Sequence, residues 1–349
     1  QLLRQTSRGR SSMSNTATMM GLGASPTPLK ISDAFSTTLY TGNATADTKI
    51  TTGINLKEEG GLLWTKKRSA AADHYLWDSI NAFDGGTSTT YSSKRLKSNA
   101  ADLKGTEANA LMSFETDGFV ASTNGAINGN GSTYASWSFR KAPKFFDVVS
   151  WIGDSTSGRK ISHSLDSEVG TIFVKSTTEN YQWVVYSKNY GGGYYSWFPT
   201  AHKFYTSASN WNNTDATSTE FTLGNNGNVN LNTAGYVAYV FAESDLMKTG
   251  LIVGDGTSAR EISLGFTPQW LVFVRVDVES STWLMYDSKR GINAGAADPY
   301  LRMTATNLEE SDQQYVETTA DGFKVGLASS GSYFNVSGQT YMYMAIKAE

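Results

Sequence analysis

Two arrangements of apolar residues recur along the chain, and both are those of β-strands. In YASWSFRK (Tyr134 to Lys141), Ala135, Trp137 and Phe139 share one face while Tyr134, Ser136 and Ser138 share the other. Val237, Tyr239 and Phe241 repeat that spacing in the segment from Tyr236, and Met342, Met344 and Ile346 repeat it in the segment from Tyr341. A period of two with one apolar face predicts a strand covering a core, whereas a helix needs apolar residues every three to four positions. The second arrangement is a short unbroken run: LLWTK (Leu62 to Lys66), TIFVK ending at Lys175 and LVFVR ending at Arg275. These runs fit central strands buried on both faces. Only Ala100 to Leu111 offers a helix, and Gly105 weakens it.

The blocks follow one another in a fixed order. GDSTSGRKIS (Gly153 to Ser162) returns as GDGTSAREIS (Gly254 to Ser263). Each is followed by an apolar run, an aromatic segment (WVVYS from Trp183, WLMYD from Trp283) and a Tyr-led alternating strand. A first copy runs from GNATADTKI (Gly42 to Ile50) through LLWTK and HYLWDS (His74 to Ser79) to YASWSFRK. Self-similarity at this scale predicts repeated supersecondary units. The tripeptide DGF precedes a strand at Asp117 and at Asp321, while the middle copy has EFTLGNNGN instead. With turn-rich gaps every 8–12 residues, the expected fold is all-β. It consists of three tandem antiparallel β-sandwich modules, jelly-roll-like and of about a hundred residues each. The expected divisions are an extended N-terminal arm over 1–35 and modules over 36–145, 146–248 and 249–349. Met13 could be a natural start within that arm.

Composition narrows the function more than the fold. Charged residues make up 17% of the 349 and aromatic residues 12%, too much apolar surface for a disordered chain. A net charge of −3 gives no basic face for nucleic acid, and no apolar stretch is long enough to insert in a membrane as a helix. Cysteine is absent, which removes disulfides, thiol chemistry and most structural zinc sites.

Candidate chemistry is sparse. His74, His163 and His202 fall in different blocks, and His74 occupies the place of Trp183 and Trp283, so a flat ring packed in a sheet is expected there. Asp78 and Asp287 occupy equivalent strand ends, a module apart, and read as turn caps rather than an acid–base pair. The DGF tripeptides read as turns, and GLGASP near the N-terminus follows no strand and is no phosphate loop. Asp154 and Asp255, with Asn43 at the matching place, offer one acidic group per site at most for calcium. No cofactor or metal is therefore expected. The densest candidate is the loop region from Asn189 to Asn213, where Tyr190, Tyr194, Tyr195, Trp197, His202 and Trp211 stand among Gly and Asn. Rigid amphipathic rings beside amides suit a sugar face or a protein partner, and they equally suit the module's own core.

Taken together, the GN.T...I opening, the apolar run ending in Lys or Arg, HYLWDS, LKSN (Leu96 to Asn99), DGF and the aromatic closing strand resemble an uncharacterised β-module family. That family is common in virion structural proteins of marine tailed phages, including cyanophages, often in proteins called tail fibres. The resemblance covers about residues 42–349 and is weakest in the middle copy. It implies a non-enzymatic protein at the surface of a virion, a tail-fibre or head-fibre subunit that helps attach the particle to its host. It also implies a homotrimer; for such a subunit the expected contacts are docking of the N-terminal arm to other virion proteins and a host surface glycan or protein as partner. A capsid or tail decoration protein is the alternative, and a glycan depolymerase the remote one.

Overall fold

The computed structural model describes residues 28–83, 92–200, 203–292, 297–327 and 334–349. Among these the chain is all-β, with antiparallel sheets, a 3-10 turn at Ile31–Asp33 and two single-turn helices. The stretch 100–111 is no helix; it contains a strand at Gly105–Ala108.

The first third of the chain forms β1 (Phe35–Thr41), β2 (Thr48–Thr51), β3 (Gly61–Lys67), β4 (His74–Asp78) and β5 (Ser92–Arg95). It continues through β6 (Gly105–Ala108), β7 (Leu111–Glu115), β8 (Gly118–Ala121) and β9 (Thr133–Arg140). The middle third forms β10 (Phe146–Ile152), β11 (Arg159–Ser162), β12 (Val169–Ser176), β13 (Trp183–Ser187), β14 (Tyr194–Phe198) and β15 (Tyr205–Thr206). Helix α1 (Ala208–Trp211), β16 (Glu220–Leu223), helix α2 (Gly227–Asn230) and β17 (Gly235–Ala242) complete it. The last third forms β18 (Met247–Val253), β19 (Arg260–Ser263), β20 (Pro268–Arg275) and β21 (Leu284–Asp287). Its remaining strands are β22 (Leu301–Arg302), β23 (Glu317–Thr318), β24 (Gly322–Val325) and β25 (Thr340–Lys347).

The main sheets run β1-β9-β3-β4, β10-β17-β12-β13-β14-β15 and β18-β25-β20-β21-β22. In each, the first strand pairs with the last, the last with the apolar run, and that run with the aromatic strand after it. The second strand of each third pairs separately with a later one, β2 with β8, β11 with β16 and β19 with β24. This nesting of second on second-to-last inside first on last is that of a jelly roll; the fourth strand then adds to the main sheet by a hairpin. We call the three thirds units 1, 2 and 3.

Both faces of the central strands are buried, and they face different cores. Leu63 and Trp77 of unit 1 pack beneath the small β2-β8-β7 sheet, and units 2 and 3 each have an outer core of the same kind. The opposite faces meet. Trp64, Trp137 and Phe139 of unit 1, Phe173, Trp183 and Phe241 of unit 2, and Trp270, Val272 and Met344 of unit 3 belong to one continuous core. The alternating faces of the three closing strands all turn into it. Three sheets around one apolar centre make a single body, which an expectation of tandem modules did not contain.

Two expected divisions move for that reason. Ile31, Ala34 and Phe35, placed in the arm, are buried in the common core, and β1 begins at Phe35. Position 248 lies inside β18, whose first residue, Met247, is also a core residue. Residues 1–27, with Met13, lie outside the described residues.

The units also exchange loops in one direction. From unit 1, Leu103 N donates to Asn180 Oδ1 (2.8 Å) and Lys104 N to Thr177 O (3.1 Å) in unit 2. From unit 2, Phe204 N donates to Val276 O (3.3 Å) in unit 3. From unit 3, Thr306 O accepts from Ala72 N (2.9 Å), and Glu309 forms a two-pronged ion pair with Arg68 (2.7 Å for both bonds) in unit 1. A head-to-tail contact that closes after three steps makes a ring. Here one chain supplies all three members.

Candidate functional site

Three units in one chain provide an internal comparison. What all three share serves the fold, and a departure in one of them calls for another explanation.

The opening turn is shared. A side chain on Gly42, Gly153 or Gly254 would lie 2.0–2.4 Å from a carbonyl oxygen of Gly129, Leu231 or Val336, so the two backbones can cross only at glycine. Opposite each glycine stands a buried asparagine: Asn128, Asn230 or Asn335. Its Oδ1 accepts from the backbone N–H of Asn43 (2.9 Å), Asp154 (3.1 Å) or Asp255 (3.2 Å). Its Nδ2 donates to the carbonyl of Thr45 (3.0 Å), Thr156 (3.0 Å) or Thr257 (2.9 Å). The positions considered for calcium are thus consumed by the turn. Thr257 donates to Asp255 from both hydroxyl and backbone, Asn335 adds a third hydrogen bond, and the carboxyl is held down at about 2. Arg159 and Arg260 lie 3.4 Å from Asp154 and Asp255, whereas unit 1 pairs neutral Asn43 with Thr48 (2.9 Å). No group of three or more His, Cys, Asp or Glu is placed to hold a metal among the described residues.

The polar residues of the aromatic strands belong to the joints between units. Asp78 is buried and caps the turn after β4, accepting from Ile80 N (3.0 Å) and Asn81 N (2.9 Å); its Oδ2 accepts from Tyr239 OH of unit 2 (2.9 Å). Burial pushes this carboxyl up and the Tyr239 phenol well up. Asp287 is equally buried. It accepts from Arg290 N (2.9 Å) and Nε (2.6 Å), and from Trp137 Nε1 of unit 1 (3.0 Å). Register makes Trp137, Tyr239 and Met344 equivalent, as it does Asp78, Ser187 and Asp287. A carboxylate therefore stands where the following unit offers a ring donor. Where that unit offers Met344, the residue is Ser187, whose buried hydroxyl has no partner among the described residues.

His74 is buried and accepts from Trp64 Nε1 at Nδ1 (3.0 Å), and burial followed by the nearby Lys66 charge drives its pKa well down. His163 stacks on Phe221 in unit 2, and burial lowers its pKa too. Lys66 and Lys175, at the ends of two apolar runs, are buried at the joints. Lys66 Nζ donates to Lys67 O (3.0 Å) and, across the joint, to Thr306 O (3.3 Å). Lys175 Nζ donates to Ala101 O (3.1 Å), Ser176 O (3.1 Å) and Glu179 O (3.3 Å). Burial brings these ammonium groups down to about 8 and about 7. No local residue pattern marks these ends as joints, because the partner loops lie in other units.

The aromatic region divides. Trp211 is a core residue, 1% exposed, packed edge-on to Tyr186 and Phe221. Tyr190 stacks on Phe204 (centroids 4.0 Å apart) against the common core, at the place Asn81 and Arg290 take in the other units. These two expected ligand residues are packing residues. His202 lies outside the described residues. Tyr194, 38% exposed, lies beside Tyr190.

Tyr195 and Trp197 project from the other face of β14. Tyr195 is paired across β14–β15 with Tyr205, which had not been singled out by its sequence context. The three rings form a cluster: Trp197 stacks on Tyr205 at 5.3 Å, and Tyr195 lies 5.1 Å from Trp197 and 6.0 Å from Tyr205. All three are partly exposed, and neither Trp197 nor Tyr205 belongs to any of the four cores. Lys203 Nζ lies 5.9 Å from the Tyr205 ring, and Tyr205 OH donates to Glu279 of unit 3 (3.1 Å).

Residues 30–349 match the family model described as a domain of unknown function, DUF7483, and the chain belongs to that family. One model spans all three units, in keeping with their shared core. No curated protein matches the chain.

Proposed function

We propose that this DUF7483 chain is a non-enzymatic structural protein of a phage particle, a tail- or head-fibre subunit whose body faces outward and contributes to attachment to the host surface. One observation carries the non-enzymatic part: the buried carboxylates of the aromatic strands and the buried lysines of the apolar runs are spent on joints between units. Asp78 and Asp287 each cap their own turn and hold a ring of another unit, so they act apart and not on one substrate. The virion location is supported by the sequence resemblance. Attachment is supported by the rings that unit 2 leaves outside every core.

Decoration of a capsid or tail is the second reading, and one contact favours it. Ser32 Oγ donates to Glu349 Oε1 (2.5 Å), so both ends of the described body meet at one place, suiting a body mounted from one side. Immunogold labelling of purified particles tests both readings. Gold at fibre tips, with purified protein competing for adsorption, is expected for an attachment subunit; gold over the capsid lattice without competition identifies decoration. Absence of the protein from purified particles overturns the virion assignment. The trimer implied by the resemblance would assemble nine units, and its mass in mild detergent decides it.

A further inference from the structure

The geometry points to a saccharide-binding site on unit 2, in which Trp197, Tyr205 and Tyr195 stack against the apolar face of a neutral pyranoside. It deepens the attachment reading by naming a ligand class, and it is testable without a virion.

The internal comparison carries the argument. Pairing of β13 with β14, of β21 with β22, and of Leu76 with Leu96 makes Trp197 equivalent to Lys97 and Arg302. In unit 1, Lys97 is ion-paired with Asp73 (2.7 Å) beside the Tyr75 ring. In unit 3, Arg302 is ion-paired with Glu310 (2.6 Å) beside the Tyr300 ring. Both units cover this position with a cation, a carboxylate and one ring. Unit 2 alone has Trp197 there, between two tyrosines. The next pairing outward recurs in all three units, Tyr195 with Tyr205, Arg95 with Gly105 and Tyr300 with Glu310, and unit 2 alone places a ring on both sides of it. Tyr195 packs against the outer core of unit 2, as its equivalent Tyr300 does in unit 3, but the fold is satisfied twice without Trp197 and Tyr205, so packing does not account for those two.

The surroundings select the ligand. Three half-buried rings offer far less than the roughly 800 Å² a protein partner needs on each side. Single-stranded nucleic acid stacks on rings too, but it needs a positive groove, and among the described residues Lys203 is the one cation placed against these rings. A pyranoside combines an apolar C–H face with a polar rim. The rings meet the former, while the Lys203 ammonium, the Glu279 carboxylate and the phenol groups meet the latter.

The test uses the full chain, titrated with soluble cello-, malto-, manno- and galacto-oligosaccharides while tryptophan fluorescence is read and calorimetry confirms binding. Saturable binding of at least one series is expected, weakened at least tenfold by Trp197→Lys, which installs the residue unit 1 already carries and so leaves the fold intact. Tyr205→Ala is expected to weaken it similarly, and Tyr194→Ala, on the opposite face, to leave it unchanged. Failure of every series to bind, or binding indifferent to Trp197→Lys in a protein of unchanged melting temperature, overturns the site. If the site fails while wild-type protein still competes for phage adsorption, the attachment reading stands on another surface. If the site binds and the protein is absent from particles, only the virion reading falls.

Discussion

At the scale of single residues, the same side chain solves the same problem three times. Asn128, Asn230 and Asn335 each satisfy a turn that neither strand can satisfy alone, with an amide that donates and accepts at once. Asn230→Asp keeps the shape and removes the donor, aiming a carboxylate at the carbonyls of Thr156 and Gly224 and at the Asp154 side chain. Leaving those groups unmet beside a buried charge is expected to cost about 3 kcal/mol or more. An unfolding free energy from guanidinium titration lowered by less than a third of that would refute the clamp. These asparagines were not legible in the sequence, since nothing in GNNGNVN or YFNVS marks a buried residue among so many exposed amides. The buried lysines give a second prediction. Folding lowers Lys175 from the ordinary 10.5 to about 7 and Lys66 to about 8, so between those values and 10.5 the unfolded chain holds more protons. Stability therefore rises with pH across that window, by about 1 kcal/mol per pH unit for each lysine. Lys175→Met is expected to roughly halve the slope of unfolding free energy between pH 8 and 10; an unaltered slope would show that Lys175 keeps its proton in the fold.

At the scale of elements, alternation in the closing strands and the unbroken apolar runs were readable because burial on one or both faces leaves a direct mark on residue type. The use of the buried polar positions was not, since Asp78 answers to Tyr239 and Asp287 to Trp137, partners that no local window contains. This pairing is testable as a coupling. Tyr239→Phe leaves Asp78 without its cross-unit donor and is expected to cost about 1–3 kcal/mol. The third joint lacks the bond and can be given one. Ser187→Asp alone places an unmet carboxylate in the core and destabilises, while adding Met344→Tyr is expected to recover at least about 1 kcal/mol by supplying the donor. Additivity of the two changes in a double-mutant cycle would mean that the three joints are not equivalent. The aromatic loop shows the limit from the other side. Ring density drew attention to the region from Asn189 to Asn213, but only pairing and burial separate Trp211 and Tyr190, which pack, from Trp197 and Tyr195, which face outward with Tyr205.

At the scale of the whole molecule, the common core decides how the chain behaves. A lone unit 2 would expose Phe146, Phe173, Trp183, Val237, Tyr239 and Phe241, all buried here against the other units. Burying a large apolar side chain is worth about 1.5–3 kcal/mol, so six of them exceed the whole stability of a typical domain of that size. Tandem sandwiches with separate cores would melt in up to three steps, and each could be expressed alone. A ring closed around one core, with loops passed from unit 1 to 2, 2 to 3 and 3 to 1, has no such intermediate: removing any member opens two joints and one side of the core. Differential scanning calorimetry of the full chain is therefore expected to give one transition, with calorimetric and van't Hoff enthalpies equal. Residues 143–245 expressed alone are expected to lack near-UV circular dichroism and to aggregate. Two resolved transitions, or a monomeric, sharply melting unit 2, would mean that the shared core joins bodies that each fold independently.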